Sequence, residues 1–311
     1  MNAATWDHWI NQHQGSFLQS WAWGNFQEEY GRRVYRLSSD SLRAQCISHR
    51  LPAGWTYLFV PYGPIGQWSN VTAAALFDQV TTVADKERAI FLRYERGYQY
   101  WGGRLVRAVH PQHTQIIPLR ESAQMLAAMK QKWRYNIHLA ERKGVRVHCS
   151  TAVADMHKLY PLLQHTAQRQ GIAIHPLSYY QTMVHSLGAA GMLQLYLAEY
   201  QGQIIAGQIM IGFGSTMTYV HGGSNHRWRA VMAPHLLHWR AMVDAYTVGY
   251  QWYDLFGIAP PQQPQHSWAG LTRFKQGFGG EQRSYDSSTA DIPLRPVWYN
   301  AYRLANVIWI S

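Results

Sequence analysis

The residues best able to do chemistry in this chain are basic. Positions 130 to 146 hold six Lys or Arg and one Glu, so 17 residues carry 6 − 1 = +5 of the net +11. Lys130, Arg134, His138 and Arg142 recur at spacing four, one stripe of a helix. Such a stripe can meet nucleic-acid phosphates, and it equally suits a solvated helix face. Lys275 stands apart, between Phe274 and the run Gln276-Gly277-Phe278-Gly279-Gly280, where a lysine by itself reads as a flexible surface residue. His235 and His238 lie three apart with His226 upstream, but no carboxylate or cysteine joins them at ligand spacing, so no metal is expected. Cys149 lacks a nucleophile motif, and neither Gly-x-Ser-x-Gly nor a P-loop lysine sequence occurs.

The elements that must position these groups alternate. The chain has 311 residues, 47% hydrophobic and only 14% charged, which excludes disorder and predicts about two domains. A helix is expected over 16–30, strands over 34–37, 44–49 and 55–61, a turn at 62–66, a helix over 72–87 and a strand over 89–94. A second run starts with a strand over 114–119. Ser122 then caps a helix reaching Lys143-Gly144, with Leu126, Met129, Trp133, Ile137 and Ala140 on its apolar face. A strand over 145–148, a helix over 153–169, strands over 193–199, 204–213 and 216–222, a helix over 232–247 and a strand over 252–256 follow, then a Pro- and Gln-rich loop over 259–267. This order is α/β (α+β), and its second half resembles an acetyltransferase (GNAT) fold. A CoA pyrophosphate loop there would need glycines, yet 227–234 has none and Pro234 removes a donor, so no CoA or other cofactor is expected. Two cysteines and a polar N-terminus without an apolar core predict a cytoplasmic protein, and no apolar run nears the ~20 residues of a membrane span. The short apolar end Val307-Ile308-Trp309-Ile310 is expected to pack onto the body.

Six segments in order carry a family resemblance: Phe17-Leu18-Gln19-Ser20-Trp21-Ala22-Trp23-Gly24; Tyr62-Gly63-Pro64-Ile65; the basic segment from Lys132 to Val145; Tyr219-Val220-His221-Gly222-Gly223-Ser224; Tyr253-Asp254-Leu255-Phe256-Gly257-Ile258; and Phe274-Lys275-Gln276-Gly277-Phe278-Gly279-Gly280. Together they resemble the FemABX aminoacyl-tRNA-dependent peptidyltransferases, in the compact FemX-like form without a coiled-coil arm. The resemblance implies two tandem GNAT-like domains, 1–112 completed by 287–311, and 113–286. It implies transfer of an amino acid from aminoacyl-tRNA to the stem peptide of a peptidoglycan precursor, lipid-linked or UDP-linked. The rivals are transfer to a protein or other peptide, and a non-catalytic RNA- or precursor-binding relative.

The resemblance also implies roles. It puts Lys275, with Phe274, at the reacting carbonyl. Tyr179, His175, Tyr219, His221, Gln27 and Arg36 would bind substrate, and Lys130, Arg134, Arg142 and Lys143 would bind tRNA. The family's diphosphate-binding Lys and Arg are missing: Asn25 and Gln27 stand where lysines belong, and His175 replaces the arginine. Arg32, Arg33 and Arg36 offer a substitute phosphate clamp, and a protonated histidine could assist. The loss of fixed charge favours a lipid-linked precursor or a different acceptor altogether. A monomer touching the inner membrane face peripherally is the expected state.

Overall fold

The alternating strands and helices resolve into two seven-stranded sheets. The computed structural model describes residues 1–285 and 288–308, and it divides into two units, Met1–Gln112 with Asp286–Ser311, and His113–Tyr285.

The first unit opens with α1 (Ala3–Gln12), a helix not read from the sequence; Asn2 caps it and it buries Trp6 and Ile10. The single helix expected over 16–30 is split into a 3-10 turn, Phe17–Gln19, and α2 (Trp21–Glu29). Ser20 causes the split, because its extended backbone ends the turn while its side chain accepts from the Trp23 amide. Then come β1 (Arg33–Ser38), β2 (Leu42–Arg50), β3 (Thr56–Val60), β4 (Ile65–Gly66), α3 (Asn70–Lys86), β5 (Ala89–Tyr94), α4 (Tyr98–Trp101) and β6 (Arg104–Leu105). α3 starts in a Ser69–Thr72 capping box, and its Leu76, Val80 and Val83 share a core with Leu42, Leu58 and Leu92.

The second unit runs β7 (His113–Pro118), α5 (Ser122–Ala128), α6 (Gln131–Arg142), β8 (Arg146–Ser150), α7 (Met156–Gln170), α8 (Leu177–Ala189), β9 (Leu193–Tyr200), β10 (Gln203–Phe213), β11 (Thr216–Ser224), α9 (Ala233–Thr247), β12 (Trp252–Gly257), α10 (Ala269–Gln276) and β13 (Glu281–Ser284). Its sheet order is β13-β7-β12-β11-β10-β9-β8. The helix expected over 122–143 is broken at Met129 and Lys130, which are extended. Neither Pro nor Gly marks that break. Tertiary contacts fix it: Gly277 accepts the Lys130 amide, and Arg134 donates to the Leu126 and Met129 carbonyls at the end of α5. Glu121, not Ser122, is the N-cap, without a side-chain bond. Helices α8 and α10 were absent from the sequence reading. α7 crosses β11 closely at Gly223, where a Cβ would lie 2.4 Å from the Leu162 backbone.

The chain then returns to the first sheet as β14 (Ala290–Pro293), between β5 and β6, and ends in α11 (Pro296–Ile308). Arg93 donates to both carboxylate oxygens of Asp291, at 2.7 and 2.8 Å, and holds β14 on β5. The longest helix among the described residues, α3, has 17 residues. No helix among them is long and apolar enough to cross a membrane. The return point expected near 287 and the side chains of 307–310 lie outside the described residues.

Candidate active site

Strands β11 and β12 pair in parallel over only three residues each, ending at Thr218 and Asp254, although both continue. They therefore part beyond that point. β11 carries an extra residue, Val220, opposite Ile209 and Met210. β12 pairs irregularly with β7 between Asp254 and Gly257, where Phe256 adopts φ +58°. Bulges and left-handed non-glycine residues of this kind recur beside functional sites. Lys275 reaches this gap from the last turn of α10. It is only 3% exposed, not the flexible surface lysine its neighbours suggest. Its Nζ donates to the Gly257 carbonyl at 2.6 Å and stands 5.5 Å from the centre of the Tyr219 ring.

Burial pulls the Lys275 ammonium down to about 7, against the opposing charge of Asp254. Burial likewise raises the Asp254 carboxyl, although Oδ1 accepts from the Thr114 hydroxyl and from the Phe256 amide at 2.7 Å. The neighbour of the lysine in α10, Phe274, sits in an aromatic cluster. Phe274 packs edge-on against His235 and Phe278, and tilted against His238. His238 shares a 2.8 Å hydrogen bond with the Tyr253 hydroxyl and is driven down to about 3 by burial, then by Lys275. His235 accepts at Nε2 from the Asn136 amide, 3.1 Å, which places its proton on Nδ1; that nitrogen is buried without a hydrogen-bond partner. Burial holds it near 4. Trp133 of α6 joins the cluster edge-on against His235. Its indole donates to the Phe274 carbonyl at 3.0 Å across Gly277, where a Cβ would meet the indole at 1.9 Å.

His175 stacks on Tyr179 at 3.8 Å, Tyr179 meets Tyr180 edge-on, and Tyr180 meets His221 edge-on at 5.2 Å. The structure thus brings His175, Tyr179 and His221 into one aromatic run reaching β11, the strand that also bears Tyr219. Burial, and then His175, lowers His221 to about 4. That shift favours the neutral ring of His221 near pH 7. Burial pushes the Tyr219 hydroxyl up to about 12.

Gln27 and Arg36 belong to the first unit. Gln27 is buried and accepts from Arg32 at 2.5 Å. Arg36 donates to the Trp21 carbonyl and to Asn25, and lies over the Trp21 ring at 3.9 Å. Arg33 pairs with Glu87 at 2.9 Å. The three arginines serve three different partners, not a shared phosphate clamp.

Of the four proposed tRNA contacts, Lys130, Arg142 and Lys143 are exposed, whereas Arg134 is half-buried on the end of α5. Lys130 is the N-cap of α6, so the expected four-residue stripe loses a regular member at each of these two positions. The Lys143 ammonium donates to the Ala230 carbonyl at 2.7 Å, bringing the 3-10 segment His226–Val231, with exposed Arg227 and Arg229, to the same end of α6. Sequence reasoning missed those two arginines, Asp254 and His238 as neighbours of the lysine, and the Asn136–His235 pair in the adjoining aromatic cluster. Asp254 stands inside a family segment, and the spacing of the two histidines raises only the question of a metal. No group of three or more His, Cys, Asp or Glu able to hold a metal occurs among the described residues. A hollow of about 400 Å³ lined by Gly191, Gln194, Met217 and Tyr250 opens at the other end of β9, β10 and β11, with no charged lining residue.

The chain is similar to known proteins in part of its sequence and in its fold. Residues 127–276 match the family described as an acetyltransferase (GNAT) domain. The chain is 26% identical over 117 residues to UDP-N-acetylmuramoylpentapeptide-lysine N(6)-alanyltransferase of Weissella viridescens. That match covers 38% of this chain and 34% of the relative, about a third of its length. The crystal structure of FemX superposes with a TM-score of 0.80 at 16% identity, over 97% of this chain and 98% of that one. L-PGS from Bacillus licheniformis gives a TM-score of 0.58 at 14% identity, over 95% and 94%. The chain therefore has a FemX-like fold, a mixed α/β architecture with two sheets and no long helical arm among its described residues, and the stretch that resembles a GNAT domain lies in its second unit.

Proposed function

We propose that this protein is an aminoacyltransferase that moves an amino acid from aminoacyl-tRNA to the stem peptide of a peptidoglycan precursor. The observation that carries this reading is Lys275, a buried ammonium held between two parting strands and poised near neutrality. In the reaction the acceptor amine attacks the ester carbonyl carbon, the bond from that carbon to the tRNA ribose oxygen breaks, and the proton lost by the amine ends on that oxygen. The ammonium of Lys275 stabilises the oxyanion that develops. A pKa near 7 also lets the same group donate and recover a proton. Asp254 favours its charged form, and Phe274, His235 and His238 exclude water without adding competing charge.

The donor half of the proposal is supported by the basic face of α6. The Lys130 amide and the Trp133 indole bond to Gly277 and Phe274, so this helix runs directly to the lysine segment. The acceptor half is supported by the name of the Weissella viridescens relative. A lipid-linked acceptor is favoured over a soluble nucleotide-linked one, because Gln27 and Arg36 are internally bonded and His221 is neutral. The same lack of an uncommitted charge leaves a protein or peptide amine as the second reading. The test incubates the purified full chain with total charged tRNA and, separately, lipid-linked precursor, UDP-linked precursor and a peptide amine, read by mass spectrometry. One precursor should gain the mass of one amino-acid residue, only with charged tRNA. No gain on any acceptor while the aminoacyl-tRNA stays intact would refute the proposal.

A further inference from the structure

One helix turns apolar side chains to both sides. On the inward side of α11, Tyr299 and Tyr302 pack on Phe91 of β5. On the outward side, Val297 is 79% exposed, Trp298 48% and Leu304 68%, with exposed Ala301 and Ala305 between and beside them. Positions 297, 301, 304 and 305 follow helical spacing, so they form one solvent-facing stripe. Helices of globular proteins normally bury such a stripe.

The surroundings of the stripe are basic and aromatic. Trp298 packs on Trp55 at 4.9 Å, and the guanidiniums of Arg88 and Arg295 lie over the Trp55 ring at 4.9 and 5.9 Å. Arg50 is exposed on the same β2–β3 hairpin, beside exposed Pro52 and Ala53. The segment 296–308 contains no acidic residue. The neighbouring Asp85 pairs with Arg295 at 3.1 Å, and Glu87 is buried beneath Arg33, Tyr35 and Ser48.

We propose that this face of the first unit docks on an anionic lipid bilayer. A helix lying in the interface buries its apolar stripe, keeps tryptophans at headgroup depth and places arginines against lipid phosphates. Each basic side chain near such a surface adds about 1 kcal/mol. A second protein copy fits the stripe less well. A helix of 13 residues is about 20 Å long, so one face offers roughly 200–300 Å², well short of the ~800 Å² per partner of a stable interface. The docking inference does not depend on which acceptor the second unit uses.

The test is flotation of the full chain with vesicles of phosphatidylcholine alone, or with roughly a third phosphatidylglycerol. Binding to the anionic vesicles should fall with added salt and should drop about ten-fold or more in Val297→Glu/Leu304→Glu. Because both residues are exposed, that variant should keep the wild-type Tm. In Arg50→Glu/Arg88→Glu the preference for anionic vesicles should be lost. Wild type left unbound, or a stripe variant that binds like wild type, would overturn the inference. So would a wild-type dimer in sedimentation that the stripe substitutions dissociate, which would assign the face to a second copy.

Discussion

The buried carboxylates of the first unit and the buried lysine and histidines of the second are held on different terms. In the first, the well-buried carboxylates among the described residues are surrounded by donors. Glu87 accepts from Arg33, Tyr35 and Ser48 at 2.5–2.9 Å. Glu95 accepts from the Tyr62 and His110 amides and pairs with the His110 ring at 2.7 Å. Burial alone would raise both; the donors outweigh it and hold them below the ordinary carboxylate range. In the second unit, Lys275 has one acceptor, His235 keeps an unmet Nδ1, and burial moves Lys275, His221, His235, His238 and Asp254 away from their charged forms. Satisfied groups hold a scaffold together. Groups held off their ordinary protonation are where chemistry concentrates.

The contrast can be broken most forcefully at Lys275. Lys275→Ala should lower acyl transfer by about 10²–10³-fold with the fold intact, measured as initial rate beside circular dichroism. A loss of the same size from substituting Arg33 in the first unit, with the fold intact, would erase the contrast. Next comes the donor surface. Lys130→Glu/Arg142→Glu should weaken tRNA binding about ten-fold or more and flatten its log affinity against log salt by roughly 1–2. An unchanged slope would remove these residues from the interface. A subtler change is Asp254→Asn, which removes the charge that supports the Lys275 ammonium. The lysine limb of the pH–rate profile should move down from about 7 by roughly one unit; a limb that stays or rises contradicts the pairing.

The smallest effect is in stability. His221, His235 and His238 have folded pKa values depressed to about 4, 4 and 3, so they take up protons on unfolding. Their contribution is present above the ordinary histidine value of 6.5 and is lost as pH falls toward 4. Glu87 and Glu95 of the first unit lose theirs only below the ordinary 4.5. Hydrogen exchange near pH 5 should therefore show the second unit losing protection first. Simultaneous loss in both units would blunt the comparison.

Much of this was legible in the residues. The apolar alternation of β9 to β11 and the Gly-containing turns between them marked the second sheet, and the six segments pointed to the fold. What escaped was set by tertiary contacts. The break at Met129 and Lys130 has no Pro or Gly, and depends on Gly277 and Arg134. α1 and α8 were missed because their buried positions are interleaved with polar and aromatic residues. The depth of Lys275 could not be read from a neighbourhood of glycines, because Gly277 admits the Trp133 ring and does not loosen the chain. Asn136 and His235 lie 99 positions apart, a separation no local spacing reveals. The arginines at 32, 33 and 36 read as a cluster, but Arg32 just before β1 and Arg33 and Arg36 on it found different partners.

The central claim is that the second unit buries a lysine whose charge is only marginally tolerated. Nitrogen-detected NMR of the lysine side chains across a pH titration, with Lys275→Met identifying the resonance, tests it directly. A midpoint near 7 for Lys275 is the predicted result; a midpoint at the ordinary lysine value of 10.5 would contradict it.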